Sequence, residues 1–359
     1  MEKYVVSALK YRPTTWDSVV GQKSITDTLQ SAIKNNHLAK AFLFCGPRGV
    51  GKTTTARILA KAVNSDQNTD ANEDFAFNIF ELDAASNNSV DNIRDLIDQV
   101  RIPPQTGNYK VYIVDEVHML STNAFNAFLK TLEEPPEHAI FILATTERHK
   151  IIPTILSRCQ VFEFNRIQIG DMVAHLKQIA TQEGVTIGED ALHIIAQKAD
   201  GGLRDALSMF DQIVSFSGNE ISYDDVINNL NILDYDYYFK LTDSMLDNNI
   251  SQCLLTFNDI LNKGFDGHHF INGLAGHFRN LLVCLNTETL ELLEVGEGIA
   301  ARYKEQASKI DFTFLSSALE LCHECDNKYR LSRSQRLLVE TTLMQLASLT
   351  AADKKKRLE

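Results

Sequence analysis

The chain has 359 residues, of which 44% are apolar and 23% charged; this is room for two or three folded domains and excludes a disordered or fibrous class. A formal net charge of -12 excludes wholesale coating of nucleic acid, which depends on Lys and Arg displacing counterions, but leaves room for a local basic surface. The amino end, MEKYVVSALKYRP, lacks the apolar run and cleavage site of a secretory signal, and no uncharged apolar stretch approaches the ~18 residues of a membrane span, so a cytoplasmic chain without membrane contact is expected.

From Ile25 to about Asn165, short β-branched runs alternate with helical patterns, the signature of a parallel sheet joined by crossover helices. AFLFC (41–45), NIFELD (78–83), VYIVDE (111–116), IFILATT (140–146) and CQVFEF (159–164) predict five buried strands. Between the third and fourth, Phe125, Phe128, Leu129 and Leu132 recur at i, i+3, i+4 and i+7, which puts them on one face of a helix. After Asn165 the strand signal stops. Helices are predicted near 170–183, 189–199 and 203–216, separated by Gly184, Gly188 and the Gly201-Gly202 pair. Beyond Tyr235, longer amphipathic helices follow, one carrying Cys253, Leu254, Phe257, Ile260 and Leu261, with breaks near KGFDGHH and around NTETLELLEVGEG. The expected layout is an α/β domain over 1–166, a small helical module over 167–233, an all-helical domain over 234–352 and a basic tail over 353–359. The six cysteines lie among apolar neighbours, as reduced buried thiols do, and predict no disulfide. The pair in CHEC, Cys322 and Cys325, falls inside an amphipathic helical pattern with no second pair and is expected in a core rather than on a metal.

GPRGVGKT, comprising Gly46, Pro47, Arg48, Gly49, Val50, Gly51, Lys52 and Thr53, matches G-x-x-x-x-G-K-[ST]. It sits where a phosphate-binding loop must sit, directly after a strand and opening a helix that begins with Thr54. Its glycines let backbone N–H groups converge on phosphate oxygens, Lys52 reaches the terminal phosphates, and the Thr53 hydroxyl ligates magnesium. The plain alternative is a glycine-rich turn. VYIVDE supplies the second half of such a site: Asp115 for the magnesium shell and Glu116 to orient an attacking water. In ATTE, Thr145 and Thr146 are hydroxyls placed to sense the terminal phosphate, Thr146 being favoured, although Thr suits strands by shape alone. Arg204, in GGLRDAL, either reaches the nucleotide or pairs on the surface with Asp205 or Asp211.

Six stretches taken together, KYRPTTWDSVVGQ, GPRGVGKTTTAR, ELDAASNNSVDNIR, YIVDEVHMLSTNAFNAFLKTLEEPP, FILATTERHKIIPTILSRCQ and GGLRDALSMFDQ, resemble the gamma/tau family of bacterial DNA polymerase III, the ATPase motor of the sliding-clamp loader. The resemblance is dense from about Lys10 to Ile213 and looser afterwards. It implies an AAA+ ATPase domain with a five-stranded parallel sheet, a helical lid, and an all-α collar that joins subunits into a pentamer. SRC resembles the family's trans-acting arginine motif, so Arg158 would point into the nucleotide site of the adjacent subunit, with an ion pair inside its own chain as the alternative. By the same resemblance Tyr11, Arg12, Pro13, Val20 and Gly21 would cradle the adenine, largely through backbone and apolar contacts. An ordinary packed arm is the competing reading.

The implied partners are delta, delta prime and further gamma/tau subunits, the sliding clamp, and primer-template DNA, whose backbone phosphates Arg94 and Arg101 would hold; both arginines also fit a solvated surface. One departure stands out. Family members usually carry four zinc-binding cysteines between the phosphate-loop helix and the next strand, whereas residues 62–80 contain none, so no zinc is expected. The expected function is an ATP- and magnesium-dependent clamp-loading ATPase. A non-hydrolysing clamp-loader scaffold and an AAA+ remodeller of another replication or recombination protein are the alternatives.

Overall fold

The computed structural model describes residues 5–65, 77–105 and 107–356. The chain divides into two compact units, Met1–Gly184 with Ile195–Gln212, and Val185–Ile194 with Ile213–Glu359.

The first unit is built on five parallel strands, β1 (Ala41–Cys45), β2 (Ile79–Asp83), β3 (Lys110–Asp115), β4 (Ala139–Thr145) and β5 (Gln160–Glu163), in the order β2-β3-β4-β1-β5. Helices α1 (Ser7–Lys10) and α2 (Lys23–Lys34) precede the sheet, and α3 (Lys52–Ala62), α4 (Val90–Val100), α5 (Thr122–Glu133) and α6 (Pro153–Leu156) follow β1 to β4 in turn. Parallel strands covered on both faces read as unbroken apolar runs, and here alternate residues divide between two cores. Leu43, Tyr112, Val114, Phe141 and Leu143 pack with Ile93, Leu96, Phe125, Phe128 and Leu132 of α4 and α5. Phe42, Phe44, Ile113, Ile140 and Ile142 pack with Ile25, Leu29, Ala56 and Leu59 of α2 and α3. The predicted α5 face is thus buried, with Leu129 partly so.

β1 keeps its predicted limits, and the other four strands start or stop within one residue of theirs. One shift matters: β3 ends at Asp115, and Glu116 leaves the strand in the left-handed region at φ 48. The expectation of no strand after Asn165 is corrected by a short parallel pair in the second unit, β6 (Thr186–Ile187) with β7 (Glu220–Ile221). Two residues are too few to show a period of two in sequence. Helices α7 (Ile169–Glu183), α8 (Glu189–Lys198) and α9 (Leu203–Ser217) stand close to the predicted limits. Most of the stretch on which the zinc expectation rests, 66–76, lies outside the described residues.

The rest of the second unit is helical: α10 (Tyr223–Asn229), α11 (Tyr235–Leu246), α12 (Ile250–Asn262), α13 (Gly267–Val283), α14 (Glu297–Ala307), α15 (Phe312–Tyr329) and α16 (Gln335–Lys356). Cys253, Phe257 and Ile260 of α12 are buried, Leu261 packs against the same core, and Cys322 and Cys325 of α15 lie inside it. A turn at Gly264, φ 88, and the Asp266 cap on α13 make the first predicted break; a short 3-10 helix, Thr287–Leu292, makes the second. No described helix is long and apolar enough to cross a membrane.

Candidate functional site

In an open parallel sheet, ligands bind outside the carboxyl ends of the strands. A cleft of about 790 Å³ lies there in the first unit, within the size range of small-molecule sites. The loop after β1 forms its floor. Gly46, Gly49 and Gly51 all have positive φ, at 148, 77 and 104. A Cβ at Gly46 would stand 2.3 Å from the Phe164 carbonyl oxygen, so only glycine lets the chain leave β1 beside β5. Gly51 is the left-handed residue from which α3 starts, and the first-turn N–H groups of that helix have no acceptor within it.

Lys52 is buried, and its Nζ donates to the Gly46 and Pro47 carbonyls at 2.8 and 2.7 Å. Burial lowers its pKa, while Glu116 and Asp115 oppose that shift. An ammonium held among carboxylates and loop carbonyls is placed to transfer its bonds to phosphate oxygens. The Thr53 hydroxyl donates to Asp115 Oδ2 at 2.7 Å. A hydroxyl and a carboxylate in contact at the mouth of a phosphate loop are the hard oxygen donors that suit magnesium, so the residues fit the implied ion.

β4 lies between β1 and β3, which brings its end between the loop and the acidic pair. Asp115 Oδ1 accepts the Glu116 N–H at 2.9 Å, and Glu116 Oε2 accepts from Thr146 N at 3.2 Å and Thr146 Oγ1 at 3.0 Å. Thr145 is fully buried, which separates the roles of the two hydroxyls.

The amino-terminal arm and α9 complete the walls. Tyr11, Arg12, Pro13 and Val20 line the cleft with Arg48 to Thr54, Asp115, Glu116 and Arg204. Arg12 Nε donates to Thr54 Oγ1 at 3.2 Å, and burial, ahead of nearby Arg57, lowers its pKa. Gly21 supports the wall from behind, at φ 71 against Ile167. Arg204 begins beside the loop, its N–H 3.4 Å from the Gly49 carbonyl. Of the two aspartates considered for it, Asp211 accepts from Ser7 N at 2.7 Å and from the Ser7 hydroxyl.

Arg158 does not line this cleft. Its guanidinium donates to Thr154 O at 2.8 Å, Ser157 Oγ at 3.2 Å and Glu133 Oε1 at 2.5 Å. Arg94 and Arg101 are exposed on and just after α4, at 3.4 and 3.5 Å from Asp91 and Asp98.

The motif reading passes over several residues that the fold brings in. Asp83, at the end of β2 and register partner of Asp115, lines the cleft, as do the apolar Val19, Ile167, Leu203 and Leu207. Gln22 is buried and donates to the Asn165 carbonyl at 2.7 Å, tying the arm to the end of the sheet. His118 sits behind Glu116 and Thr145; its place two residues after Glu116 is the one sequence signal that marks it.

Three family models match consecutive parts of the chain: "DNA polymerase III, delta subunit" over 21–168, "DNA polymerase III clamp loader subunit, ATPase lid domain" over 171–219, and "DNA polymerase III subunits gamma and tau domain III" over 221–358. DNA polymerase III subunit tau of Bacillus subtilis (strain 168) is 41% identical over 348 residues, covering 94% of this chain and 62% of that relative. Subunit tau of Escherichia coli (strain K12) is 35% identical over 357 residues, covering 95% of this chain and 55% of the relative. The chain therefore spans less than two thirds of the length of either. Among solved structures, a variant of Thermotoga maritima RuvB superposes with a TM-score of 0.50 at 19% identity, over 66% of this chain and 80% of the other; that likeness concerns the fold alone.

Proposed function

We propose that this chain, which belongs to the DNA polymerase III gamma/tau family, is an ATP-hydrolysing subunit of a clamp loader that places a sliding clamp on primed DNA in the cytoplasm. The observation that carries the reading is the convergence, in one cleft, of the glycine loop with Lys52, the Thr53–Asp115 pair and Glu116, whose carboxylate Thr146 holds from outside the lining.

In this reading the loop N–H groups and Lys52 hold the phosphates of ATP. Thr53 and Asp115 hold magnesium, which when bound neutralises charge on the phosphate oxygens. Glu116 orients the attacking water and accepts its proton, Thr146 fixes the Glu116 carboxylate, and Arg204 contacts the phosphate end from α9. Tyr11, Arg12, Pro13 and Val20 face the base. Arg158 serves the site of a neighbouring subunit, which the absence of its side chain from its own cleft supports. Residues 1–166 are the ATPase domain, 167–233 its lid and 234–352 the collar. ATP binding favours the subunit arrangement that grips the clamp and DNA, and hydrolysis lowers affinity for both, since coupling of this kind needs only unequal affinities between nucleotide states.

Turnover of ATP by the chain alone, then with partner subunits, clamp and primed DNA, tests the proposal. Stimulation by clamp and DNA together is expected. Turnover indifferent to both favours a remodeller, and no turnover in any mixture favours a non-hydrolysing scaffold.

A further inference from the structure

His118 lies in the 3-10 turn Val117–Met119 that follows the acidic pair, and the function above does not use it. Its side chain is only 6% exposed, which makes its contacts costly to leave unsatisfied. Nδ1 is 3.0 Å from Thr145 Oγ1 and 3.4 Å from Glu116 Oε2, and Nε2 is 3.3 Å from Glu147 Oε1. Thr145 Oγ1 also accepts from the Glu147 N–H at 3.0 Å.

With the proton on Nε2 these contacts form a chain from the Glu147 N–H through Thr145 to His118, whose far ring edge returns to the Glu147 carboxylate. Glu147 N–H donates to Thr145 Oγ1 and the Thr145 hydroxyl donates to His118 Nδ1, while His118 Nε2 faces Glu147 Oε1 at 3.3 Å. Each donor has one acceptor, as a neutral imidazole allows. Thr146, the residue between Thr145 and Glu147, is thereby held from both sides, and it is Thr146 that grips Glu116 Oε2 through its N–H and its hydroxyl.

We propose that His118 is a positioning residue for ATP hydrolysis: it locks Thr145 and Glu147, so that Thr146 presents the Glu116 carboxylate to the attacking water in one orientation. The assignment rests on the ATPase reading above. A histidine that only filled the core would affect stability, whereas a positioning histidine affects the chemical step and leaves nucleotide binding alone.

The test measures ATP turnover by the assembled loader with clamp and primed DNA, and ATP affinity of the full chain. His118→Ala is expected to lower kcat roughly ten- to a hundredfold, the scale of a misplaced reacting group, with Kd for ATP within roughly a factor of two. His118→Asn, whose amide reaches the Nδ1 position, is expected to restore part of the rate. Thr145→Val is expected to reproduce the defect, and the double variant to be no slower than the slower single one, because the two residues act as a unit. Unchanged turnover in His118→Ala, a fall in affinity that parallels kcat, or defects that multiply in the double variant would overturn the assignment. Failure of the ATPase reading would show separately, as no turnover by the unmodified assembly or unaltered ATP affinity in Lys52→Ala.

Discussion

Replacing Arg158 with alanine distinguishes a role within the chain from one between chains. Inside its own chain the guanidinium makes the contacts to Thr154, Ser157 and Glu133 described above. The ion pair is partly exposed, at 32% for Arg158 and 48% for Glu133, so screening limits its worth to about 0–1 kcal/mol. Arg158→Ala should therefore lower the melting temperature by no more than about 4 °C. The side chain is not part of its own cleft, and ATP affinity of the isolated chain should stay within roughly a factor of two.

A guanidinium acting on a neighbour's phosphates contributes about 10³ to 10⁵ in rate, or roughly 4–7 kcal/mol of transition-state stabilisation. That loss should appear only as steady-state phosphate release in the assembly with clamp and DNA. Glu133→Ala is the companion variant. If the ion pair itself were what matters, removing either partner would give the same defect; if Arg158 works across an interface, Glu133→Ala keeps most of the turnover. Loss of ATP binding by the isolated Arg158→Ala chain, or matching defects in the two variants, would refute the reasoning.

Lys52→Ala removes a buried ammonium from the loop and should weaken ATP binding by at least about tenfold, the scale of one charge-assisted contact, which titration of the full chain with a fluorescent nucleotide would show. Gly46→Ala places a Cβ against a backbone carbonyl that has no rotamer by which to yield; a cost of about 1–3 kcal/mol should lower the melting temperature by several degrees, whereas Gly170→Ala, with nothing within 4 Å, should not. In the second unit His277 is buried between Tyr303 and Gln306, and burial pushes its pKa down to about 3. Between that value and the unfolded value of ~6.5 the unfolded chain binds a proton that the folded chain refuses, so stability falls as pH falls through this window and is unaffected above it. Acidification from pH 7 to 5 should cost that unit about 2 kcal/mol in denaturant melts. A His277→Gln variant that loses just as much on acidification would show that another group is responsible.

Much of the site is legible as text because its chemistry is local. Gly46 to Thr53 form a loop whose function depends on consecutive backbone conformations, and a strand, a glycine-rich turn and a helix start are all properties of neighbouring residues. Asp115 and Glu116 are legible for the same reason, as is the buried face of α5. The left-handed turn at Glu116 and the β6–β7 pair escape notice, since one concerns a single residue and the other only two on each side.

Residue types and their spacing settle that the chain has a phosphate loop, an acidic strand end and helices with one apolar side, because these follow from the periods of the backbone and from what each side chain can donate or accept. Only the packed sheet decides which of them meet. The order β2-β3-β4-β1-β5 puts β4 between two strands that precede it in the chain, and so sets Thr146 on Glu116 and brings Thr145 and Glu147 against His118. It also leaves Arg158 outside the cleft of its own chain. Pairing between distant strands is paid for by burial of both sheet faces at once, a cooperative property that no short stretch of sequence carries.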